Sequence, residues 1–97
     1  AALKAQARVA RGVAYGLQEK WEQAIADCTA VIEMPDAPAE QKAKARVARG
    51  AAYVLQEKWE HAIADFTAVI EMPNAPDELK AIAVGFLLRL FSESDNS

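Results

Sequence analysis

The stretch KAKARVARGAAYVLQEKWEHAIADFTAVIEMPNAP, residues 42–76, has a near-copy in this chain of 97 residues. The near-copy is residues 4–38, which lie 38 positions earlier and are identical at 29 of the 35 compared positions. The six differences are Gln6/Lys44, Val13/Ala51, Gly16/Val54, Gln23/His61, Cys28/Phe66 and Asp36/Asn74. A repeat period of this length with two helical patterns in each copy is typical of stacked helical hairpins, and such arrays usually bind other proteins.

Composition and charge indicate a small helical domain. Apolar residues make up 53% of the chain, and many of them are alanines, which lets helices approach closely. The net charge of −3 argues against a nucleic-acid binder. Residues 1–18 and 39–56 each sum to +3, whereas residues 19–36, 57–74 and 75–97 sum to −4, −3 and −2. The segments of the repeat therefore alternate in sign.

Residue types that carry chemistry are sparse. The single cysteine, Cys28, has no partner for an internal disulfide and no metal-ligand spacing around it. Its counterpart in the other copy is Phe66, so we expect a buried apolar thiol. The only histidine, His61, falls on the polar side of a predicted helix, and no glycine-rich phosphate loop or paired-carboxylate site is present in the sequence. We expect no catalytic, cofactor or metal site, and no enzyme activity.

The sequence also bears on location. No apolar run reaches the length needed to span a membrane, and no secretory signal is visible. These observations predict no membrane association and favour the cytoplasm. The chain opens in mid-pattern at Ala1 without an initiator methionine, as a processed or excised piece would.

Apolar spacing predicts five helices, at residues 2–18, 21–33, 37–56, 59–71 and 75–91, followed by a frayed polar tail at 92–97. The second and fourth helices carry the i, i+3, i+4, i+7 stripe of an amphipathic helix. Its members are Trp21, Ala24, Ile25, Cys28, Val31 and Ile32, and again Trp59, Ala62, Ile63, Phe66, Val69 and Ile70. Asp36 and Asn74 are predicted N-caps of the helices that follow, with a proline in the first helical turn.

The fifth helix starts in register with the third and then diverges. Arg46, Arg49 and Gly50 are replaced there by Val84, Leu87 and Leu88. A helix that closes a stack needs one apolar stripe. This one is apolar on more than one side, which predicts a further contact.

Both copies resemble the tetratricopeptide repeat. The resemblance covers residues 5–73 and rests on Gly12, Tyr15, Ala24 and Pro35, and on Gly50, Tyr53, Ala62, Phe66 and Pro73. It implies an all-α, right-handed α-solenoid of helix-turn-helix repeats, with two hairpins and a C-terminal capping helix. The units would be repeat one at 1–36, repeat two at 37–74, the capping helix at 75–91 and the tail at 92–97, all in one domain. The repeat period is longer than is usual in the family, and one extra turn in the first helix of each hairpin accounts for the difference.

Arginines depart from the family pattern. Large apolar residues usually stand at the positions of Arg8, Arg11, Arg46 and Arg49. We expect Arg11 to pair with Asp27 across its hairpin, and Arg49 with Asp65. Arg8 and Arg46 have no obvious partner, so the alternative is a row of guanidiniums that awaits an acidic ligand.

The resemblance further implies that first helices line a concave groove. Its ligand-facing positions map onto Gln6, Val9, Val13, Gly16 and Leu17, and onto Lys44, Val47, Ala51, Val54 and Leu55. A clamp for a terminal carboxylate is excluded, since Lys44 alone is of the required type. We predict that a protein or peptide segment binds an apolar groove rimmed by Arg8 and Arg46. The apolar contacts would be Val9, Val13, Leu17, Val47, Val54 and Leu55.

Three alternatives to this groove stay open at this point. In one, the extra turn tilts the first helices and buries these residues inside the array. In another, the chain forms homo-oligomers or exchanges helices between copies, with the apolar groove and the fifth helix as the contacts. The predicted oligomer contacts are Phe86, Leu87, Leu90 and Phe91. In the third, the chain is a structural piece of a longer array.

Overall fold

The computed structural model describes the backbone of residues 2–95 and the side chains of residues 2–92. Within residues 2–95 it contains five α-helices and no strand, so the predicted all-α fold is confirmed. The helices are α1 (Ala2–Leu17), α2 (Trp21–Ile32), α3 (Ala39–Leu55), α4 (Trp59–Glu71) and α5 (Asp77–Asp95). Helix α5 continues past its predicted end at Phe91, and the last two residues of the predicted tail lie outside the described residues.

The turn inside each hairpin places a glutamate in the left-handed region of backbone space. Glu19 has a φ of 61° and Glu57 a φ of 60°. The amide of Lys20 then donates to the carbonyl of Tyr15 at 2.9 Å, and the second turn repeats this bond at 2.8 Å. A left-handed residue at this point ends a helix because the amides beyond it satisfy the last carbonyls. The same turn residues therefore produce the same turn twice.

The connection between hairpins does not use the predicted caps. Pro38 is the N-cap of α3, with φ −60° and ψ 149°, and its carbonyl accepts a hydrogen bond from the amide of Lys42 at 3.0 Å. Asp36 lies two residues earlier and is exposed, so its prediction as the cap is wrong. The same holds for Asn74, since α5 begins directly after Pro76. The fixed φ of proline suits the extended geometry of an N-cap.

Each helix packs against the next one in the chain, and α3 also contacts α1 and α5. Two apolar clusters result. The first cluster joins α1, α2 and α3 and consists of Ala5, Val9, Cys28, Val31 and Ala45. The second cluster joins α3, α4 and α5 and consists of Ala43, Ala62, Phe66, Val69, Ala75 and Ala83. Helix α3 belongs to both clusters because it has neighbours on two sides.

Aromatic side chains fill the second cluster, but Trp59 is not one of them. The rings of Phe66 and Phe86 stack with centroids 4.6 Å apart and planes 6° from parallel. Trp21 is half-buried, whereas Trp59 is 44% exposed. The expectation that Trp59 belongs to the buried stripe of α4 is therefore wrong. Each tryptophan is the first residue of its helix, but Trp21 lies beside Gly16, where a Cβ atom would be 3.8 Å from its ring, and the second repeat has the bulkier valine in that place.

Candidate functional site

An aspartate on the second helix of each hairpin holds an arginine of the first helix. Asp27 is buried and accepts two bonds from Arg11, from Nε at 2.8 Å and from Nη2 at 2.7 Å. Asp65 is also buried and accepts the same two bonds from Arg49, at 2.8 Å and 2.6 Å. Both oxygens of each carboxylate are used, which is the strong bidentate arrangement. The predicted pairs Arg11–Asp27 and Arg49–Asp65 are confirmed.

The other two arginines are engaged as well. Nη1 of Arg46 donates to Oδ1 of Asp65 at 3.2 Å, and Nη1 of Arg8 lies 3.8 Å from Oδ1 of Asp27. The expectation that Arg8 and Arg46 lack a partner is wrong. Arginines three residues apart lie on one face of a helix, so both reach the same carboxylate. Their charge is partly offset by that aspartate, which weakens their case as a rim for an acidic ligand.

The two ion-pair clusters differ in their contact with water. The side chain of Arg49 is 17% exposed, whereas that of Arg11 is 58% exposed. Nη1 of Arg49 also donates to Oγ1 of Thr29, in the preceding hairpin, at 3.0 Å. Helix α1 has no hairpin before it in the described part of the chain. Arg49 therefore connects the two hairpins, whereas the hydrogen bonds of Arg11 lie within its own hairpin.

These contacts shift the ionisation of several groups. The hydrogen bond from Arg11 lowers the pKa of Asp27 below its ordinary value of 3.8. A carboxylate with a lowered pKa stabilises the fold above its unfolded pKa, and this stabilisation is lost as pH falls through the folded value. Burial raises the pKa of Cys28 to about 11, so this thiol stays protonated at neutral pH. Cys28 is buried, as the sequence predicted.

The six apolar residues predicted to bind a partner divide into a covered half and an exposed half. Val9 is buried in the first cluster, and Val47 and Val54 are half-buried against the second cluster. A covered side chain has little surface left to offer a ligand. The exposed residues are Val13, Leu17 and Leu55.

Helix α5 adds residues to this surface that the sequence reasoning omitted. Ile82 and Arg89 are exposed and, with Gly85 and Phe86, line a shallow depression of about 230 Å³. Ile82 and Arg89 stand one repeat period after Lys44 and Ala51, two of the predicted ligand-facing positions. The repeat period was the signal that could have found them. The apolar character of α5 pointed to a capping role instead.

Most of the predicted oligomer contacts on α5 serve the fold of the chain itself. Phe86, Leu87 and Leu90 are half-buried and pack against the second cluster. Phe91 is exposed. The large apolar side chains that α5 presents to solvent are Ile82, Val84, Leu88 and Phe91.

Outside the two ion-pair clusters, polar side chains in the described part of the chain are mostly dispersed over the surface. His61 is exposed, and its ring is tilted against that of Tyr53 with centroids 5.0 Å apart. Residues 57–61 line a second shallow depression of about 290 Å³. Across the described residues, no three His, Cys, Asp or Glu side chains come together as possible metal ligands. None of the helices in that part of the chain is both long and apolar enough to cross a bilayer.

Comparisons with known proteins gave no relative: no protein-family model, no curated protein and no solved structure matches the chain. The function of this protein has to be inferred from its own surfaces.

Proposed function

We propose that this chain is a protein–protein interaction module without catalytic activity. In this proposal it is a helical-repeat solenoid of tetratricopeptide type, and α1, α3 and α5 line its binding groove. Two nearly identical repeats and the pairwise packing of successive helices support that architecture. Helix α3 contacts both α1 and α5. In a solenoid of this type, residues one repeat period apart on these helices lie on the same side of the molecule.

The observation that carries the proposal is that each of the three helices exposes apolar side chains at ligand-facing positions, which together form the apolar row of the proposed groove. Val13 and Leu17 belong to α1, Leu55 to α3 and Ile82 to α5, and all four are exposed. A partner that covers such a row removes apolar surface from water, which favours binding by about 25 cal/mol per Å² before the costs of association. The row therefore replaces the larger predicted set as the groove.

Two cations indicate the chemistry of the partner. Lys44 and Arg89 are exposed at ligand-facing positions of α3 and α5. Lys44 also pairs with Glu40 at 3.7 Å on the helix surface, a type of pair that water weakens. These two residues replace Arg8 and Arg46 as the basic rim. The partner is a short segment with several apolar side chains and at least one acidic side chain.

Selection of short random peptides against the immobilised chain tests this function. We expect enrichment of peptides that combine apolar and acidic residues. Leu55→Glu should weaken their binding about tenfold or more, because it places a charge in the apolar row. Leu88→Glu is the matched control, since Leu55 and Leu88 are 62% and 65% exposed and Leu88 lies outside the row. A selection without enrichment, or equal losses in the two variants, contradicts the proposal.

A further inference from the structure

The two outer helices of the stack each leave one face uncovered. Ala5 and Ala43 are buried, but Ala81, which follows at the same period, is exposed. The pattern reverses two positions later: Ala7 is exposed, whereas Ala45 and Ala83 are buried. Helix α3 is covered on both faces, α1 on one and α5 on the opposite one. Within the described residues, α1 and α5 therefore present two different open faces.

The contact between α2 and α3 shows which kind of surface packs against a face like the open face of α1. The exposed residues of that open face are Leu3, Ala7, Ala10 and Ala14. The alanines one repeat period later, Ala45, Ala48 and Ala52, are covered, and Ala45 packs in the first cluster against Cys28 and Val31 of α2. The α2–α3 contact thus shows what such a face accepts. It accepts the apolar side of another helix of this fold.

The open face of α5 carries larger side chains. Its exposed residues are Ala81, Val84, Leu88 and Phe91. The residues one repeat period earlier on α3 are Ala43, Arg46, Gly50 and Tyr53. They contact α4 or belong to the second cluster. This is the side of α5 where a partner helix of the same hairpin would lie.

A further helix packed as in hairpins one and two does not fit there. A Cβ atom on Gly50 would lie 2.8 Å from the ring of Phe66, and one on Gly12 would lie 3.2 Å from Sγ of Cys28. Even a methyl group is crowded at this register, and α5 has Leu88 in that place. The open face of α5 therefore needs a helix with small residues opposite Leu88.

We propose that a second copy of this chain covers the open face of α5 with the open face of its α1, in a head-to-tail contact. Ala7 and Ala10 supply the small residues that the bulk of Leu88 and Val84 requires. The two faces have similar lengths, about 17 Å from Leu3 to Ala14 and about 15 Å from Ala81 to Phe91 at 1.5 Å per residue. One contact of this kind covers both open faces, and it goes beyond the groove proposed above.

Charge and size favour this contact over a symmetric one. Two copies that met through α1 would bring together Lys4, Arg8 and Arg11, of which Asp27 offsets the arginines only in part. Two copies that met through α5 would bring together the bulky side chains of Val84 and Leu88, and the described charges of α5, which are Asp77, Glu78, Lys80 and Arg89, sum to zero. With α1 antiparallel to α5, Lys4 lies near the C-terminal end of α5, where the helix dipole attracts cations. A head-to-tail contact repeats from copy to copy, so it builds rings or filaments.

Sedimentation over a range of concentrations tests the association. We expect the average mass to rise with concentration, and Leu88→Glu or Ala7→Glu to weaken association about tenfold or more. Ala26→Glu is the control for Ala7→Glu, since it changes an exposed alanine of α2 outside both faces. Leu55→Glu should also associate normally, which separates this inference from the groove. A monomer at all concentrations, or unchanged association in both face variants, overturns the inference.

Disulfide trapping tests which faces meet. Ala7→Cys and Leu88→Cys are made as separate variants and mixed under oxidation. Cys28 should not form cross-links, because it is buried. We expect cross-links that join one variant to the other, and few within either variant alone. Cross-links of Leu88→Cys with itself, or none in the mixture, overturn the head-to-tail contact. Helical content by circular dichroism confirms that each variant is folded, which is expected because both positions are exposed.

Discussion

Hairpin one (α1 and α2) and hairpin two (α3 and α4) have nearly the same sequence, but hairpin two is more tightly enclosed. The pair Arg49–Asp65 shows this most clearly, because the side chain of Arg49 is 17% exposed and that of Arg11 is 58% exposed. Helix α3 has neighbours on both sides, whereas α1 has them on one. Sequence determines the internal contacts of a hairpin, and its place in the stack determines how much water reaches them.

One substitution inside the repeat deepens the difference. Position 28 is cysteine and position 66 is phenylalanine, and both side chains are buried. The ring of Phe66 occupies the space beside Gly50 and stacks on Phe86 of α5. Hairpin two thereby gains an aromatic contact with α5, whereas hairpin one has the smaller Cys28 and Ala48 at the same two positions.

The largest expected effect comes from making the second hairpin like the first. Phe66→Cys should lower the free energy of unfolding by about 3 kcal/mol, because it removes a buried ring and leaves a cavity beside Phe86. Urea unfolding followed by circular dichroism measures it. Phe91→Cys, at an exposed position of α5 and at low protein concentration, is the control and should cost far less. A loss for Phe66→Cys no larger than that control would show that the ring is not a main support of the second cluster.

The next largest difference in stability between the two hairpins should come from removing the aspartate of each ion-pair cluster. Asp65→Asn should cost about 3 kcal/mol, because it leaves Arg49 and Arg46 enclosed without a counter-charge. Asp27→Asn should cost clearly less, because water solvates the exposed Arg11 once the pair is lost. The same unfolding measurement compares the two. Equal losses would mean that the place in the stack does not control the strength of these pairs.

Most contacts within a hairpin were open to prediction from sequence, although the second arginine at each aspartate, Arg8 or Arg46, was missed because one carboxylate was assigned to one arginine. The period and the apolar spacing predicted five helices, and the position of each acid across from Arg11 or Arg49 predicted the pairs that the structure contains. These features depend on residues fewer than twenty positions apart. The N-cap at Asp36 failed for a local reason, since the proline that follows it takes the cap position itself.

Contacts between hairpins could not be predicted in the same way. Val9 was taken for a ligand contact, yet α3 helps to bury it in the first cluster. Phe86 was taken for an oligomer contact, yet its ring stacks on Phe66. In both cases a neighbour distant in the sequence decides the outcome. Which side of an apolar helix faces that neighbour is set by packing geometry and not by composition.

Alanine at the two interior glycines should sharpen the comparison of clusters. Gly50→Ala should cost about 1–2 kcal/mol, since its Cβ would lie 2.8 Å from a ring that cannot move away from Phe86. Gly12→Ala should cost less, because its Cβ would lie 3.2 Å from Sγ of Cys28 and 3.3 Å from a backbone carbonyl oxygen of α2, without a contact as short as that at Gly50. Gly50→Ala combined with Phe66→Cys should cost less than the sum of the two, because the methyl then enters the space of the ring. Simple additivity would contradict that contact.

The bond between hairpins offers a smaller test. Thr29→Val removes the hydroxyl that accepts from Nη1 of Arg49 and should cost about 1 kcal/mol. Thr67→Val is the matched control on α4, since the residue one repeat period after Arg49 is Leu87, which cannot donate. A double-mutant cycle of Thr29→Val with Arg49→Lys should show coupling. Independent effects would mean that this bond does not join the hairpins.

The smallest expected effect lies where the hairpins are alike. Glu19 and Glu57 hold left-handed φ angles of 61° and 60°, which cost energy for any residue with a Cβ atom. Glu19→Gly and Glu57→Gly should each raise the free energy of unfolding by about 0.5 kcal/mol, after the greater freedom of glycine in the unfolded chain is offset. Thermal unfolding of the two variants measures the gains, which should be equal because the turn depends on its own residues. Unequal gains would show that the position of a hairpin in the stack also affects the stability of its turn.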